Sequence, residues 1–205
     1  MIKRIAFFAD RSEIEESFSL NGEGDAIFEP HYNLSRGQHI PVIPAGESKR
    51  NIQRIRWGKR FSDQSHGEMQ NDVMVKEATA RCIVPISGFY IWKEGREKDH
   101  PFFVRMMNSS VMSVAGIIFK ENGHEYCDFL QRDSNTLIQP ISPQMPLLLN
   151  EKLTEKWLDG ESSEKEIIKE AESLFLITDI TVHRVSKKVN DPAENAETLI
   201  QPIPK

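Results

Sequence analysis

The sequence predicts an α+β protein built mainly on antiparallel sheet, with its few helices at the edges. Three observations lead there. Strand-like runs outnumber helical ones, especially after Cys82. The connections between those runs are short and carry hairpin residues such as Asn122-Gly123. Segments with helical spacing of apolar residues are confined to the N-terminal part and to the stretch after Asn150. The chain has 205 residues, which suits one large domain with its own core, so residues 1–205 are read as a single unit.

Met1 to Ala9 reads as a first strand. Its two basic residues and short apolar stretch are too brief for a leader, and Asp10 interrupts them. A helix follows from Asp10 to Leu20, with Asp10 or Ser12 as cap, acids in its first turns and Ile14 and Phe18 four apart on one face; Asn21-Gly22-Glu23-Gly24 ends it. Tyr32 to Ile43 is extended, Ile52 to Trp57 is a half-exposed strand, and Phe61 to Gln70 is a polar loop. Ile83 to Trp92 and Pro101 to Arg105 flank a hairpin turn at Lys93 to Glu97. Val111 to Phe119 and Glu125 to Leu130 flank Asn122-Gly123, and Leu147 to Leu149 is a short buried strand. Asn150 caps a helix containing Leu153, Trp157 and Leu158, and a second helix runs from about Ser163 to Leu174 with Ile167, Ile168 and Ala171 inward. Phe175 to Ile177 and Val182 to Val189 read as late strands, and Thr198 to Ile203 as an edge strand or tail.

Composition narrows the function. Hydrophobic residues make up 39 % and charged residues 28 % of the chain, ordinary for a globular protein. No run of about 18 apolar residues exists, so no membrane partner is expected and the protein is read as cytoplasmic. Cys82 and Cys127 belong to no CxxC pair, and His31, His39, His66, His100, His124 and His183 show no metal spacing; no metal and no cofactor is expected, and both thiols read as buried and inert. The net charge of −5 argues mildly against a dedicated nonspecific nucleic-acid binder. One local run points the other way. Lys49, Arg50, Arg54, Arg56, Lys59 and Arg60 are clustered with no acid from Ser48 to Ser62, and Trp57 and Phe61 interleave. Cations for phosphates and aromatics for bases are what holds a single strand without sequence preference. The competing account is a solvated strand edge with Trp57 in the core. Lys187 and Lys188 can extend the patch.

Several segments, in order, resemble the SRAP family (SOS-response-associated peptidase, the abasic-site DNA-protein crosslinking proteins). They are Tyr32 to Gln38 with Val42-Ile43, Arg56-Trp57-Gly58, Cys82 to Trp92, Pro101 to Val104 with Ala115-Gly116, Ile141 to Leu149, Trp157-Leu158, and Val185-Ser186 and Val189-Asn190 with Leu199 to Ile203. The resemblance implies a curved, barrel-like, mainly antiparallel sheet arrangement with peripheral helices. It implies a positively charged channel for single-stranded DNA and a role in the DNA damage (SOS) response. The family's reaction is attack by a cysteine at position 2 on the open-chain aldehyde of an abasic site. Amine and thiol together close a thiazolidine, and an asparagine, a glutamate and a histidine position the sugar and move protons.

The reactive groups are absent here. Position 2 is Ile2, the glutamate's place is taken by Ile91 and the histidine's by Ser142; Gln144 replaces a DNA-contacting arginine. With isoleucine second, Met1 is expected to stay. Arg4 matches the arginine that follows the family's cysteine, and Asn71 is a counterpart of its asparagine segment. Loss of the nucleophile together with both proton-moving groups predicts a pseudo-enzyme. It would bind single-stranded DNA through Arg4, Asn33, Arg54, Arg56, Trp57, Lys59, Arg60 and Asn71. Two alternatives stand beside this reading: a repurposed scaffold that binds a protein or small ligand, and residual Schiff-base chemistry at Lys3 or the terminal amine, with Arg4 as the neighbouring cation. Ser142 lies in no GxSxG elbow, which argues against a serine hydrolase.

Overall fold

The computed structural model describes residues 2–21, 29–46, 49–58, 71–93, 100–160, 162–173 and 179–203. Thirteen strands and four helices are assigned among them: β1 (Arg4–Phe7), α1 (Arg11–Phe18), β2 (His31–Ser35), β3 (His39–Pro44), β4 (Gln53–Trp57), α2 (Asn71–Glu77), β5 (Ala80–Ile86), β6 (Gly88–Lys93), β7 (His100–Met106), β8 (Met112–Glu121), β9 (His124–Phe129), β10 (Gln131–Asp133), β11 (Gln144–Pro146), β12 (Leu148–Leu149), α3 (Glu151–Asp159), α4 (Glu164–Ser173) and β13 (Ile180–Arg184).

The strands form a closed barrel beside an open sheet. The barrel runs β8-β5-β3-β4-β9 and closes on itself where β8 also pairs β9, with β12 attached to β8. Every pairing in it is antiparallel except β4 with β9, which is parallel through Arg56↔Tyr126 and Trp57↔Cys127. The open sheet is ordered β13-β7-β6-β1-β2, and β10 pairs β11 alone. The expected α+β arrangement of curved, mainly antiparallel sheets with peripheral helices is what is found.

The barrel fills with its own apolar side chains. Ile40, Val42, Ile43, Trp57, Ile83, Ile86, Ile117 and Phe129 are among its buried residues, and Trp57 stacks on Phe129 with ring centroids 4.7 Å apart. The α3 helix lies against β5: the buried Trp157 donates from its indole nitrogen to the Cys82 carbonyl at 2.8 Å. Cys82 and Cys127 are free and buried, with sulfurs 3.5 Å apart. Burial, then contact with Cys82, pushes the Cys127 thiol well above the usual range, which keeps it protonated.

Several local expectations hold. Asn150 caps α3 by accepting from the Leu153 amide, and Gly160 ends that helix at φ 77°. Asn122 and Gly123 take φ of 50° and 79°, the left-handed pair that a tight β8–β9 turn needs. The Lys93–Glu97 turn lies mostly outside the described residues, but β6 and β7 pair as a hairpin through Lys93↔His100.

Other expectations are corrected. The first helix ends at Phe18, where Ser19 takes a left-handed backbone (φ 50°), so the stop precedes the glycines. The strand expected from Tyr32 to Ile43 is two strands, with Gly37 at φ 93° in the turn. The strand expected from Val182 to Val189 stops at Arg184 and becomes a 3-10 turn at Lys187–Asn190. The C-terminal edge strand is a 3-10 turn at Glu197–Ile200 that buries Leu199 and Ile200. The Phe61–Gln70 loop and the Phe175–Ile177 strand lie outside the described residues.

The long strand expected from Ile83 to Trp92 is broken at Ser87, and there the chain passes from barrel to open sheet. The Ser87 amide donates to the Ala6 carbonyl at 2.8 Å, and its hydroxyl oxygen accepts from the Phe8 amide at 2.9 Å. Gly88 follows with no space for a side chain: a Cβ there would lie 2.3 Å from Phe103 Cζ and 2.6 Å from the Val104 carbonyl oxygen. Gly88→Ala should therefore destabilise the fold by about 1–3 kcal/mol through overpacking, seen as a lower urea midpoint at unchanged slope.

Candidate functional site

The ladder between β1 and β6 ends at Ile5↔Phe89. Beyond that pair, Ile2, Lys3 and Arg4 line one side of a cavity of about 740 Å³. Tyr90 to Lys93, Arg36, Asn190 and the segment Pro140 to Pro143 complete its lining. Ile2, Ile91 and Ser142, far apart in sequence, thus meet around one space. Ile2 and Ile91 are 4 % and 2 % exposed, so that part of the wall is hydrocarbon. The Ser142 hydroxyl donates to the Gln144 carbonyl at 2.8 Å, which makes it a loop-stabilising serine.

The ionic character of the lining is one-sided. Among the described residues, Lys3, Arg4, Arg36 and Lys93 contribute to it, and no acid does. Arg36 is held by a two-point contact with Asp128, at 2.8 and 2.7 Å, and stands 5.9 Å from the centre of the Trp57 ring. Gly58 makes room for it, at φ 85°, where a Cβ would lie 2.8 Å from Arg36 Nη2. Arg4 differs. Its Nε is buried and has no hydrogen-bond partner among the described residues. Burial lowers its pKa, opposed by the charge of Asp191. A buried guanidinium donor is costly to leave unpaired, and a water or an anion is the kind of group that satisfies it. Burial pushes the Tyr90 phenol up, and its hydroxyl donates to the Tyr32 carbonyl at 2.6 Å, so it is no base at neutral pH.

The other predicted binding residues fall into three groups. Arg54 is exposed and Arg56 half-buried, both on β4 with side chains on the face opposite Ile55 and Trp57. Arg56 reaches the neighbourhood of Gly37, beside the cavity residue Arg36. Trp57 is fully buried inside the barrel and offers no face to a base, because the even spacing of a strand sends it inward with Ile55. Asn33 is also fully buried. Its amide nitrogen donates to the carbonyls of Val189, Asp191 and Glu194 at 3.2, 2.8 and 3.1 Å, so it is a positioning residue for that turn. Lys59 and Arg60 lie outside the described residues, as does the side chain of Asn71, which opens α2. Arg50, from the same basic run, binds Glu155 and Asp159 of α3 at 2.9 and 3.0 Å, and those contacts raise its pKa.

Sequence reading missed Arg36, Trp92 and Asn190 as site residues. Trp92 is half-buried, and its indole nitrogen donates to the Asn190 side-chain oxygen at 2.8 Å. The signal was the Tyr-Asn and Val-Asn segments themselves, which sit far from the central strand in sequence. Among the described residues no cluster of His, Cys, Asp and Glu is arranged to hold a metal, and no helix is long and apolar enough to cross a membrane.

A closed five-strand barrel with an attached sheet and a cation-lined cavity at the first strand defines the class of protein. The family model described as SOS response associated peptidase (SRAP) matches residues 1–192, and the chain belongs to that family. It is 24 % identical to the abasic site processing protein YoqW of Bacillus subtilis, over 98 % of this chain and 99 % of that one. It is 25 % identical to the abasic site processing protein HMCES of Xenopus tropicalis, over 89 % and 69 %. A crystal structure of a Bacteroides thetaiotaomicron protein shares the fold with a TM-score of 0.76 and 19 % identity, over 98 % and 99 %.

Asn33→Ala should lower stability by about 1–3 kcal/mol, since it leaves buried carbonyls of the Val189–Glu194 turn unsatisfied. Thermal unfolding should show the loss as a lower midpoint.

Proposed function

We propose that this protein binds single-stranded DNA at the cavity lined by Ile2, Ile91 and Ser142 and forms no covalent crosslink there. It is then a noncatalytic member of its family, acting in the cytoplasm in response to DNA damage. The observation that carries the reading is the convergence of those three residues on one cavity whose described charged lining residues are all cations. Cations supply the strand's phosphate contacts. Among the described lining residues there is no thiol, carboxylate or imidazole, which supports a site without a nucleophile or a proton shuttle for an aldehyde. The relatives named abasic site processing proteins support DNA as the ligand class. Arg56 beside Gly37 continues the cationic wall outward along β4.

The test is fluorescence anisotropy of labelled single-stranded DNA carrying one abasic site, at two salt concentrations. Binding that weakens sharply with salt is expected. Indifference to DNA at low salt would instead favour a scaffold turned to a protein or small-molecule ligand. Arg4→Ala should weaken binding and reduce the slope of log affinity against log salt by about 0.7. Arg54→Ala with Arg56→Ala should weaken it as well, and unchanged affinity would move the strand's path elsewhere.

A denaturing gel after prolonged incubation with the abasic strand should show no shifted band. A band that appears only after borohydride treatment, and is lost in Lys3→Ala, would mean an imine had formed between the Lys3 amine and the aldehyde with release of water.

A further inference from the structure

We propose that the cavity receives a base-bearing nucleotide in preference to a base-less sugar, with the base stacked on Trp92 and the phosphate on Arg4. The proposal rests on the reading that DNA enters this cavity, and it names which part of the strand the cavity selects.

The wall at Ile2 and Ile91 is apolar and tightly packed. An open-chain sugar carries an aldehyde or its hydrate and free hydroxyls, all of which need hydrogen-bond partners once they leave water. Two isoleucines supply none, and the Ser142 hydroxyl is engaged with Gln144; the cations Lys3, Arg4 and Lys93 on the lining are donors, which suit a phosphate and leave a sugar's own donors without acceptors. What the lining does offer is an aromatic surface. Trp92 is half-buried, held on one side by its contact with Tyr90 at 6.4 Å and by the bond from its indole nitrogen to Asn190. A ring fixed in this way is a preorganised stacking platform, and every base has a face to present to it. On the same lining, Arg4 contributes a guanidinium whose Nε has no hydrogen-bond partner among the described residues, so a phosphate attached to the stacked nucleoside meets a cation there. The volume of about 740 Å³ lies within the roughly 300–1,000 Å³ of small-ligand sites.

The experiment uses the protein's own fluorescence. The chain has three tryptophans, and Trp57 and Trp157 are fully buried, so quenching by a stacked base reports Trp92. Deoxyadenosine monophosphate should quench the emission, and 2-deoxyribose 5-phosphate at equal concentration should leave it unchanged. Labelled oligo-deoxyadenylate should bind at least about fivefold more tightly than an oligomer of the same length whose sugars are all base-less tetrahydrofuran residues. Trp92→Leu, with its fold verified by circular dichroism, should abolish the quenching and remove most of that preference. Equal or tighter binding of the base-less oligomer to the unaltered protein would overturn the proposal while leaving DNA binding intact. Quenching that persists in Trp92→Leu would overturn the stacking assignment. Failure of both oligomers to bind the folded protein would overturn the single-strand reading itself, and this proposal with it.

Discussion

The passage of the chain from barrel to open sheet between Ile86 and Gly88 sets the geometry of everything around the cavity. Ser87 is clamped from both sides by β1, through the Ala6 carbonyl and the Phe8 amide. Gly88 then lets β6 lie directly under Phe103. With these contacts fixed, the register of β6 on β7 follows, pairing Ile91 with Phe102 and Trp92 with Pro101. The strand's alternation then decides which residues face the barrel core and which face the smaller cluster around Tyr90 and Phe103. Because β1 pairs β6 only as far as Ile5, a gap opens beyond that point, and the cavity occupies it.

Charge placement matters more here than charge total. The chain is net negative, yet the ionic residues lining the cavity are cations. Several other arginines serve the scaffold. Arg50 ties the segment before β4 to α3. The buried Arg81 donates to the Ser162 carbonyl at 2.8 Å and lies 5.3 Å from the centre of the Trp157 ring. Arg36 serves both purposes, since its ion pair with Asp128 joins the β2–β3 turn to β9 while its side chain borders the cavity. Such a partly screened, two-point pair contributes orientation more than net stability. Counting basic residues along a sequence cannot separate these uses, because the partners Glu155, Asp159 and Asp128 are remote from them in the chain.

Strand and helix types were legible because local chemistry dictates them: Asn122-Gly123 admits only a tight turn, and Asn150 caps as its side chain requires. The convergence of Ile2, Ile91 and Ser142 was anticipated only through the family resemblance, since no local pattern links a first strand to a central strand and a late loop. Trp57 lies in the barrel core, the competing account of the basic run, for a definite reason. An aromatic between arginines looks exposed in a linear run, but the two-residue period of β4 sends Ile55 and Trp57 inward and Arg54 and Arg56 outward. Asn33, a polar side chain in a strand, is the hydrogen-bonding anchor of a distant turn, a partnership that no local pattern reveals. That turn carries Asn190, the partner of Trp92.

The parallel ladder between β4 and β9 also bears on how the chain acquires this shape. The β8–β9 hairpin closes over two residues, Asn122 and Gly123, and needs little loss of chain entropy to form. Joining Arg56 to Tyr126 requires that a long intervening stretch, including α2 and β5 through β8, be brought around first. Contacts of such separation are slow to form and gain little until the neighbouring strands are in place. Barrel closure is therefore the long-range, entropically costly step of this topology. It is also what brings Trp57 against Phe129 and Arg36 against Asp128 across the rim, so those contacts depend on the same closure.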